Sequence, residues 1–313
     1  MQLTPSLLQA FFTALDVQYQ RGYQKRRTYW QEYAWLSPSG TENKTYSWLA
    51  ELPGMREWIG EKQVKNLSAR AFQVVNKDFE NTFGIDRNKI EDDEAGIYSQ
   101  SAMLQGDVVA RWPDDLVTAA LIAGTTTLGY DGSFYFSNNH PVDVDDSTQG
   151  TYSNLLTGTA LNQANYAAAK AAMRSFKGES GKPLQVLPTM MMVGPSLEQT
   201  ALEVTKAQNI TRIVQNVAAT ENVAAAAPTN VYYGDVTLVV NERLVDDTAN
   251  AWYLFSTDRI KPFIFQQRKA PTRLQIIDPT NPLVFNQRQY AYSVEARGNA
   301  AAGLPFLSIK CTP

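Results

Sequence analysis

The chain has 313 residues, 44% of them hydrophobic and 19% charged, with a net charge of −3. That composition belongs to a folded protein with room for one large domain or two modest ones, and not to a disordered chain. One cysteine (Cys311) and one histidine (His140) exclude an internal disulfide and the usual zinc sites, and the missing basic excess argues against a protein that mainly grips nucleic acid.

No apolar run approaches the roughly 20 residues a membrane span needs, and the first residues carry no basic leader. The chain is therefore expected to start near Met1 and to stay in the cytoplasm. Thr4 and Pro5 form a helix start, followed by Leu7, Leu8, Phe11, Phe12 and Leu15 at helical spacing. An aromatic and basic segment comes next, with Arg21, Lys25, Arg26 and Arg27. It reads as an exposed helix face or as a basic arm. From Leu67 to Arg87 the pattern predicts a long β-hairpin turning near Asn76–Asp78. Phe79, Phe83 and Ile85 alternate with Asp78, Glu80, Thr82 and Asp86. A hairpin with one apolar face is poorly stable alone and must lay that face on something.

A long helix is predicted next. Glu91 to Glu94 crowd its start, where negative charge suits the helix dipole, and apolar positions continue through Ile97, Met103, Leu104, Val108, Trp112, Leu116, Ala120 and Ile122. Pro113 should kink or split it, and Gly124 should end it. Residues Gly129–Thr159 read as loops around a short strand, and Leu161–Phe176 as an Ala-rich helix. Gly178–Pro183 is a break. Beyond it come a buried strand (Leu184–Val193), a helix (Pro195–Gln208) and short strands at Val231–Tyr233, Val236–Asn241 and Trp252–Ser256. Acidic residues outnumber basic ones between Pro183 and Arg259, which suggests a separate acidic α/β subdomain. The last part is strand-rich: Arg273–Ile277, then Tyr290–Arg297, a turn at Gly298–Gly303, and a return from Leu304 to Cys311.

Motifs for chemistry are thin. Gly178-Glu-Ser-Gly-Lys182 is too short for a phosphate loop and follows a helix, not a strand. Asp143, Asp145 and Asp146 lack the closing glutamate of a calcium loop. His140, in Asn-Asn-His-Pro, reads as a turn histidine bonded to nearby backbone. Cys311 reads as a packing residue with no base beside it. Met173, Met190, Met191 and Met192 read as core. No catalytic residue, cofactor or metal is expected, and the chain is read as a non-enzyme.

Three stretches are distinctive: LPGMREWIGEKQVKNL (Leu52–Leu67), NKDFENTFGIDRNKIEDDEAGIY (Asn76–Tyr98) and YDGSFYFSNNHPV (Tyr130–Val142). They resemble the signature stretches of the Mu-like prophage major head subunit family. The order of parts resembles that of tailed-phage capsid proteins. The resemblance implies an α+β, HK-ninety-seven-like capsid fold. Residues 1–55 would be an N-terminal arm, 56–88 an extended loop, 89–182 a peripheral domain with a spine helix, 183–259 an axial domain, and 260–313 strands returning to the peripheral domain. It also implies a self-assembling icosahedral shell of pentamers and hexamers around double-stranded DNA, in the virion. Portal and scaffold proteins would be partners, with a possible decoration protein, weak non-specific DNA contact and no membrane.

On that reading Phe72, Val74, Lys77, Phe79, Phe83 and Ile85 of the loop would touch a neighbouring subunit. Arg21, Lys25, Arg26 and Arg27 would lie on the inner face. Some relatives cross-link through a loop lysine. Lys77 would be the candidate here, but no acceptor or catalytic glutamate is identifiable and no cross-link is expected. The alternatives are an encapsulin-like bacterial compartment shell, a hydrolase using Cys311 or His140, and a phage ring or tail-tube protein.

Overall fold

In the computed structural model the described residues are 4–46, 72–91, 95–144, 146–178, 181–209, 229–246, 250–278 and 280–313. The stretch Leu52–Leu67, residues 67–71 of the expected hairpin, Asp92, Asp93, Glu94, Asp145 and the alanine run Ala224–Ala227 lie outside them.

The elements in chain order begin with α1 (Pro5–Lys25), α2 (Trp30–Tyr33), β1 (Ala34–Pro38), β2 (Asn43–Tyr46), β3 (Phe72–Val75), β4 (Lys77–Asp86), α3 (Arg87–Glu91) and α4 (Ala95–Ile122). Three short strands follow, β5 (His140–Pro141), β6 (Thr151–Tyr152) and β7 (Leu155–Leu156), then α5 (Gln163–Arg174), β8 (Met190–Val193), α6 (Glu198–Thr205), β9 (Thr237–Val240) and β10 (Trp252–Phe255). The chain closes with β11 (Phe263–Ile276), α7 (Pro282–Gln287), β12 (Gln289–Ala302) and β13 (Ser308–Cys311). The chain divides into two compact units. One holds the described residues of Met1–Thr45, Gln73–Ala119 and Ile264–Ala301, the other those of Tyr46–Phe72, Ala120–Phe263 and Ala302–Pro313.

The first unit is built on a four-stranded sheet, β1-β11-β12-β4. Helix α1 starts as its sequence requires: Thr4 Oγ1 accepts the Leu7 N–H at 3.3 Å, and Pro5 occupies the first turn. Its Leu8, Phe12, Leu15 and Tyr19 are buried with Ile85 of β4, Ala102 and Val109 of α4, and Tyr290, Tyr292 and Val294 of β12. The N-terminal segment is therefore part of a core and not a free arm. Helices α1 and α4 meet backbone to backbone. A Cβ on Gly22 would lie 1.9 Å from the Met103 carbonyl oxygen, and one on Gly106 2.1 Å from that of Tyr19. Only glycine permits that approach. Helix α4 runs through Pro113 without a break, so of the expected kink or split the split does not occur. Burial of Ala102, Val109 and Val117 offsets the hydrogen bond a proline removes. The next residue, Asp114, is buried, and its Oδ1 accepts the N–H groups of Tyr29 (3.0 Å) and Trp30 (2.7 Å) at the start of α2.

The expected hairpin is corrected. Strand β4 does not fold back on β3. It pairs antiparallel with β12 over ten residues, from Lys77 opposite Gly298 to Asp86 opposite Gln289, while β3 is the neighbour of β2. The expected turn at Gly298–Gly303 is likewise absent, because β12 continues to Ala302.

The second unit is built on a mixed five-stranded sheet, β7-β13-β10-β8-β9. β10 is antiparallel to both β13 and β8, whereas β8–β9 and β13–β7 are parallel. Its central strands are apolar throughout. Met190, Met191 and Met192 are buried, as are Trp252, Tyr253, Leu254 and Phe255, so the methionines are core, as their sequence suggests. The C-terminal strand β13 sits inside this sheet beside β10 and does not return to the first unit's sheet. Two expected strands shrink. Only Met190–Val193 of Leu184–Val193 is a strand, since Gln185 takes a left-handed backbone (φ 55°). Val231–Tyr233 is a turn, with the Asn230 side chain accepting the Tyr232 N–H at 2.9 Å. In the same unit, α5 is tied to this turn region by Asp235, which accepts from the Tyr166 hydroxyl at 2.6 Å and from Lys170 Nζ at 2.6 and 2.7 Å.

Two outcomes follow from this packing. Replacing Gly106 by alanine forces two helix backbones apart and should cost about 1–3 kcal/mol, read as a lower urea midpoint with an unchanged denaturant slope. Partial burial raises the Asp235 carboxyl, but hydrogen bonds from Lys170 and Tyr166 and the charges of Lys170 and Arg174 outweigh that, so it titrates below the usual carboxylate range. A depressed folded-state value means the contribution is present at neutral pH and lost as pH falls below about 4. Asp235→Asn should therefore flatten the acid limb of the stability–pH curve, and an unchanged limb would exclude this contribution.

Candidate functional site

The groups best suited to catalysis are not arranged for it. Cys311 is fully buried in β13, and burial pushes its thiol up to about 12, only partly offset by a hydrogen bond from Thr159. A nucleophilic cysteine needs the opposite shift. The glycine loop is closed on itself, with the Gly178 N–H donating to the Lys182 carbonyl (3.0 Å) and the Gly181 N–H to that of Gly178 (2.8 Å). Asp146 caps a single turn at Ser147–Gln149 and accepts from Thr148 and Gln149. These hydrogen bonds hold its carboxyl below the usual range. Among the described residues no group of three or more His, Cys, Asp or Glu could hold a metal ion.

His140 is more than a turn residue. It is buried on β5, stacked on Tyr152 at 5.0 Å between ring centroids. Nδ1 lies 2.6 Å from Asp131 Oδ2, and Nε2 lies 3.1 Å from both the Tyr135 carbonyl and Asn154 Oδ1. The Asn154 amide is oriented by its neighbours. Its Nδ2 donates to the Tyr135 (2.8 Å) and Pro305 (3.1 Å) carbonyls, and its Oδ1 accepts the Ser137 N–H (2.9 Å). Nε2 therefore faces only acceptors and must carry a hydrogen. A second proton lies in the Nδ1–Asp131 contact. The network continues through Tyr135, whose hydroxyl accepts from Ser308 Oγ at 2.7 Å and donates to the Leu304 carbonyl at 3.3 Å. One imidazole thus joins the turn before β5, the segment after β6 and the turn before β13.

The residues expected at an inter-subunit surface are placed as follows. Ile85 is fully buried in the chain's own core, and Phe83 packs against that core, 5.4 Å from the Tyr292 ring. Phe79 packs on Trp112 at 5.3 Å. Val74 is buried. The apolar stripe therefore finds its cover within the chain, because β4 joins the sheet through β12 and faces α1 and α4. Phe72 is half-buried. Lys77 is exposed, but it opens a paired strand and does not cap a hairpin.

Strands β2 and β3 are neighbours, and the Asn76 N–H donates to the Glu42 carbonyl at 3.1 Å. Asn76, expected as a turn residue, is a buried clamp. Its Nδ2 donates to the Thr41 and Glu42 carbonyls at 2.9 Å each, and its Oδ1 accepts from Gln266 Nε2 at 2.8 Å. Arg21, Lys25, Arg26 and Arg27 are all exposed at the end of α1. Arg26 lies 3.7 Å from Asp107, and the Arg27 guanidinium sits 5.2 Å over the Tyr29 ring.

Several of the apolar positions along α4 are not covered within the chain. Ile97 (60% exposed), Leu104 (62%) and Val108 (43%) lie open, at i, i+7 and i+11, on one side of the helix. The buried side is lined by Ala102, Gln105, Val109 and Val117. Small and polar residues at the packed face were the available signal, since a glycine-lined crossing leaves no space for large ones.

Comparison with known proteins places this geometry. The family model for the Mu-like prophage major head subunit gpT matches residues 8–161, 156–244 and 226–312. The chain is similar to the Mu-like prophage FluMu major head subunit of Haemophilus influenzae, with 28% identity over 96% of this chain and 71% of that protein. It is 32% identical to the major capsid protein of Escherichia phage Mu over 64% of this chain and 60% of that protein. Among solved structures it is similar to the procapsid of bacteriophage JBD30, with a TM-score of 0.58 and 26% identity, covering 99% of this chain and 76% of that one.

Breaking the buried pair should be costly. Asp131→Ala or His140→Ala should lower stability by about 1–3 kcal/mol, the range for leaving a buried hydrogen-bonding group without its partner. Chemical denaturation checks it, and a loss within about 0.5 kcal/mol, as at ordinary surface sites, would show the network to be incidental.

Proposed function

Because the chain belongs to the Mu-like prophage major head subunit gpT family, we propose that its exposed surfaces are those of a subunit that closes a shell with copies of itself. It is a phage major capsid protein with an HK-ninety-seven-like fold. The observation that carries this reading is the family match from residue 8 to residue 312. The named relatives are phage head proteins, which sets aside the bacterial compartment shell. The work of such a subunit is assembly, not turnover, and the buried, protonated Cys311 and fully engaged His140 agree with that.

Pentamers and hexamers built from one chain need contacts that close a ring, together with parts that adapt to unequal surroundings. On this reading the expected extended loop, 56–88, would reach a neighbour, with Phe72 on β3, next to the Asn76 clamp, among its contacts. Exposed Ile97, Leu104 and Val108 on α4 form an apolar stripe suited to cover by another subunit. Arg21 and Lys25 would face the interior. With Arg26 and Arg27 partly engaged within the chain and a net charge of −3, contact with packaged DNA would be weak. That suits DNA that must move during filling, since each phosphate contact adds salt-sensitive affinity. Portal, scaffold and decoration proteins are further partners on this reading, with assembly in the host cytoplasm. No cross-link is expected: Lys77 is held in a strand ladder.

Negative-stain electron microscopy of the purified chain should show closed polyhedral shells or rings of five and six. On a denaturing gel they should run as monomer. A monomer or dimer that persists with scaffold added would overturn the proposal.

A further inference from the structure

Strand β4 ends its sheet among the described residues. The Arg87 N–H donates to the Arg288 carbonyl at 3.0 Å, which continues the β4–β12 register and makes these two a hydrogen-bonded pair. Such pairs alternate along an antiparallel ladder. The odd-numbered residues of β4 therefore direct their main-chain groups to β12, and Asp78, Glu80, Thr82 and Gly84 turn theirs outward. The next outward group, the Asp86 N–H, is taken by the Tyr98 hydroxyl at 3.3 Å. Gly84 is exposed, and with no side chain that exposure belongs to the main chain. Among the described residues the edge is open from Asp78 to Gly84.

Helix α4 overhangs this edge. Tyr98, Gln105 and Trp112 form the ridge that meets β4: Tyr98 at Asp86, Gln105 Nε2 on the Asn81 carbonyl at 2.8 Å, and Trp112 on Phe79 at 5.3 Å. Gly106 touches α1. At about 100° per residue, Ile97, Leu104 and Val108 lie on the side of α4 opposite Gly106, beyond β4 and past the end of the sheet. Phe79 and Phe83, on the inward face of β4, are only half-buried. The result is an open corner. One wall is a row of main-chain donors and acceptors, and the other is an apolar stripe on a separate element.

Charge narrows what fits. On the outer face of the sheet Glu80 stands directly opposite Glu295 of β12, and like charges so placed repel. Lys269 reaches Glu295 at 2.9 Å, and Arg297 lies 3.3 Å from Asp78. Glu80 accepts from Thr82 but has no cation among the described residues. Only the open side of β4 is left to supply one.

We infer that this corner takes an extended strand of a partner polypeptide whose apolar side chains alternate with lysine or arginine. Its main chain pairs with Asp78–Gly84. Its apolar side chains, about 6.7 Å apart along one face, cover Phe79, Phe83, Leu104 and Val108, the last two about 6 Å apart along the helix. Its cations face Glu80. An apolar stripe alone would accept many partners. The open edge selects a strand, and Glu80 selects a basic one.

The probe is a fluorescent Val-Lys-Val-Lys-Val-Lys-Val peptide, added to the full chain below the concentration at which it assembles. Anisotropy should show saturable binding. The same peptide made of N-methyl residues keeps its charges and side chains but loses its N–H groups. It should bind at least about tenfold more weakly, equivalent to 1.4 kcal/mol. Glu80→Lys should weaken binding at least about threefold, within the range of a cross-strand charge pair. Leu104→Glu with Val108→Glu should weaken it about tenfold, and Leu104→Ser with Val108→Ser takes their place if that chain fails to fold.

Equal binding of the N-methyl peptide would overturn the strand, and so would binding that none of the substitutions weakens. Assembly that the α4 substitutions impair, with a peptide that neither binds nor competes, would also overturn it, because a second copy would then cover the stripe in another way. A chain that binds the peptide as expected but forms no shells would support the strand and count against the shell reading alone.

Discussion

The first unit depends on the surroundings of one ring. Tyr292 is fully buried, stacked on Phe12 of α1 with an interplanar angle of 22° and leaning on Phe83 of β4. Its hydroxyl donates to Asp16 at 2.6 Å, and Arg273 reaches the same carboxylate at 3.3 Å. Burying such a side chain contributes about 2–3 kcal/mol. The hydroxyl would forfeit much of that if it were left unpaired. Asp16 removes the penalty, and Arg273 keeps the carboxylate compensated. Helix, sheet and edge strand are thus held by one aromatic cluster with a polar plug at its rim.

Given that cluster, the other features of the unit follow. Helix α1 must lie close to α4 to cover Tyr292, and the reciprocal glycines Gly22 and Gly106 make the approach possible. Strand β4 must present Phe83 and Ile85 inward, which fixes its register on β12, since a slip by one residue would turn both outward. What is left outward on β4 is Lys77, Asp78, Glu80 and Thr82, a polar edge of the kind that discourages uncontrolled strand addition. A shell subunit must pair where assembly requires it and nowhere else, so a charged edge and an apolar but separate α4 stripe serve the same end.

The second unit solves the same problem with polar groups. Asn154, His140 and Tyr135 satisfy one another and the backbone carbonyls of Tyr135, Pro262, Leu304 and Pro305. A buried network of this kind adds little net stability but penalises every alternative packing, because a broken member leaves an unpaired group out of water. It therefore specifies one conformation for the turn that carries Leu128 and Phe134. The result is a stiff surface in a protein whose function is to meet copies of itself at defined angles.

The sequence by itself determined the longer helices and the class of the protein. Thr4-Pro5, the spacing from Leu7 to Leu15 and the Ala-rich run at α5 are local signals, and local signals specify helices because every hydrogen bond closes within four residues. The stretches Asn76–Tyr98 and Tyr130–Val142 carried the family. Tertiary structure alone decided the partners of the strands. Phe79, Phe83 and Ile85 announce a half-buried strand, but nothing near them names β12, whose Ser293 meets Thr82 across 211 residues. The same holds for β13 beside β10, for Asn76 as a clamp, and for which face of α4 is covered. His140 could be read as a turn residue from its neighbours, yet its role comes from Asn154 and, through it, Pro305. Periodicity tells a side chain that it has an inside. Only the closed chain, after the cost of bringing distant segments together, decides what lies there.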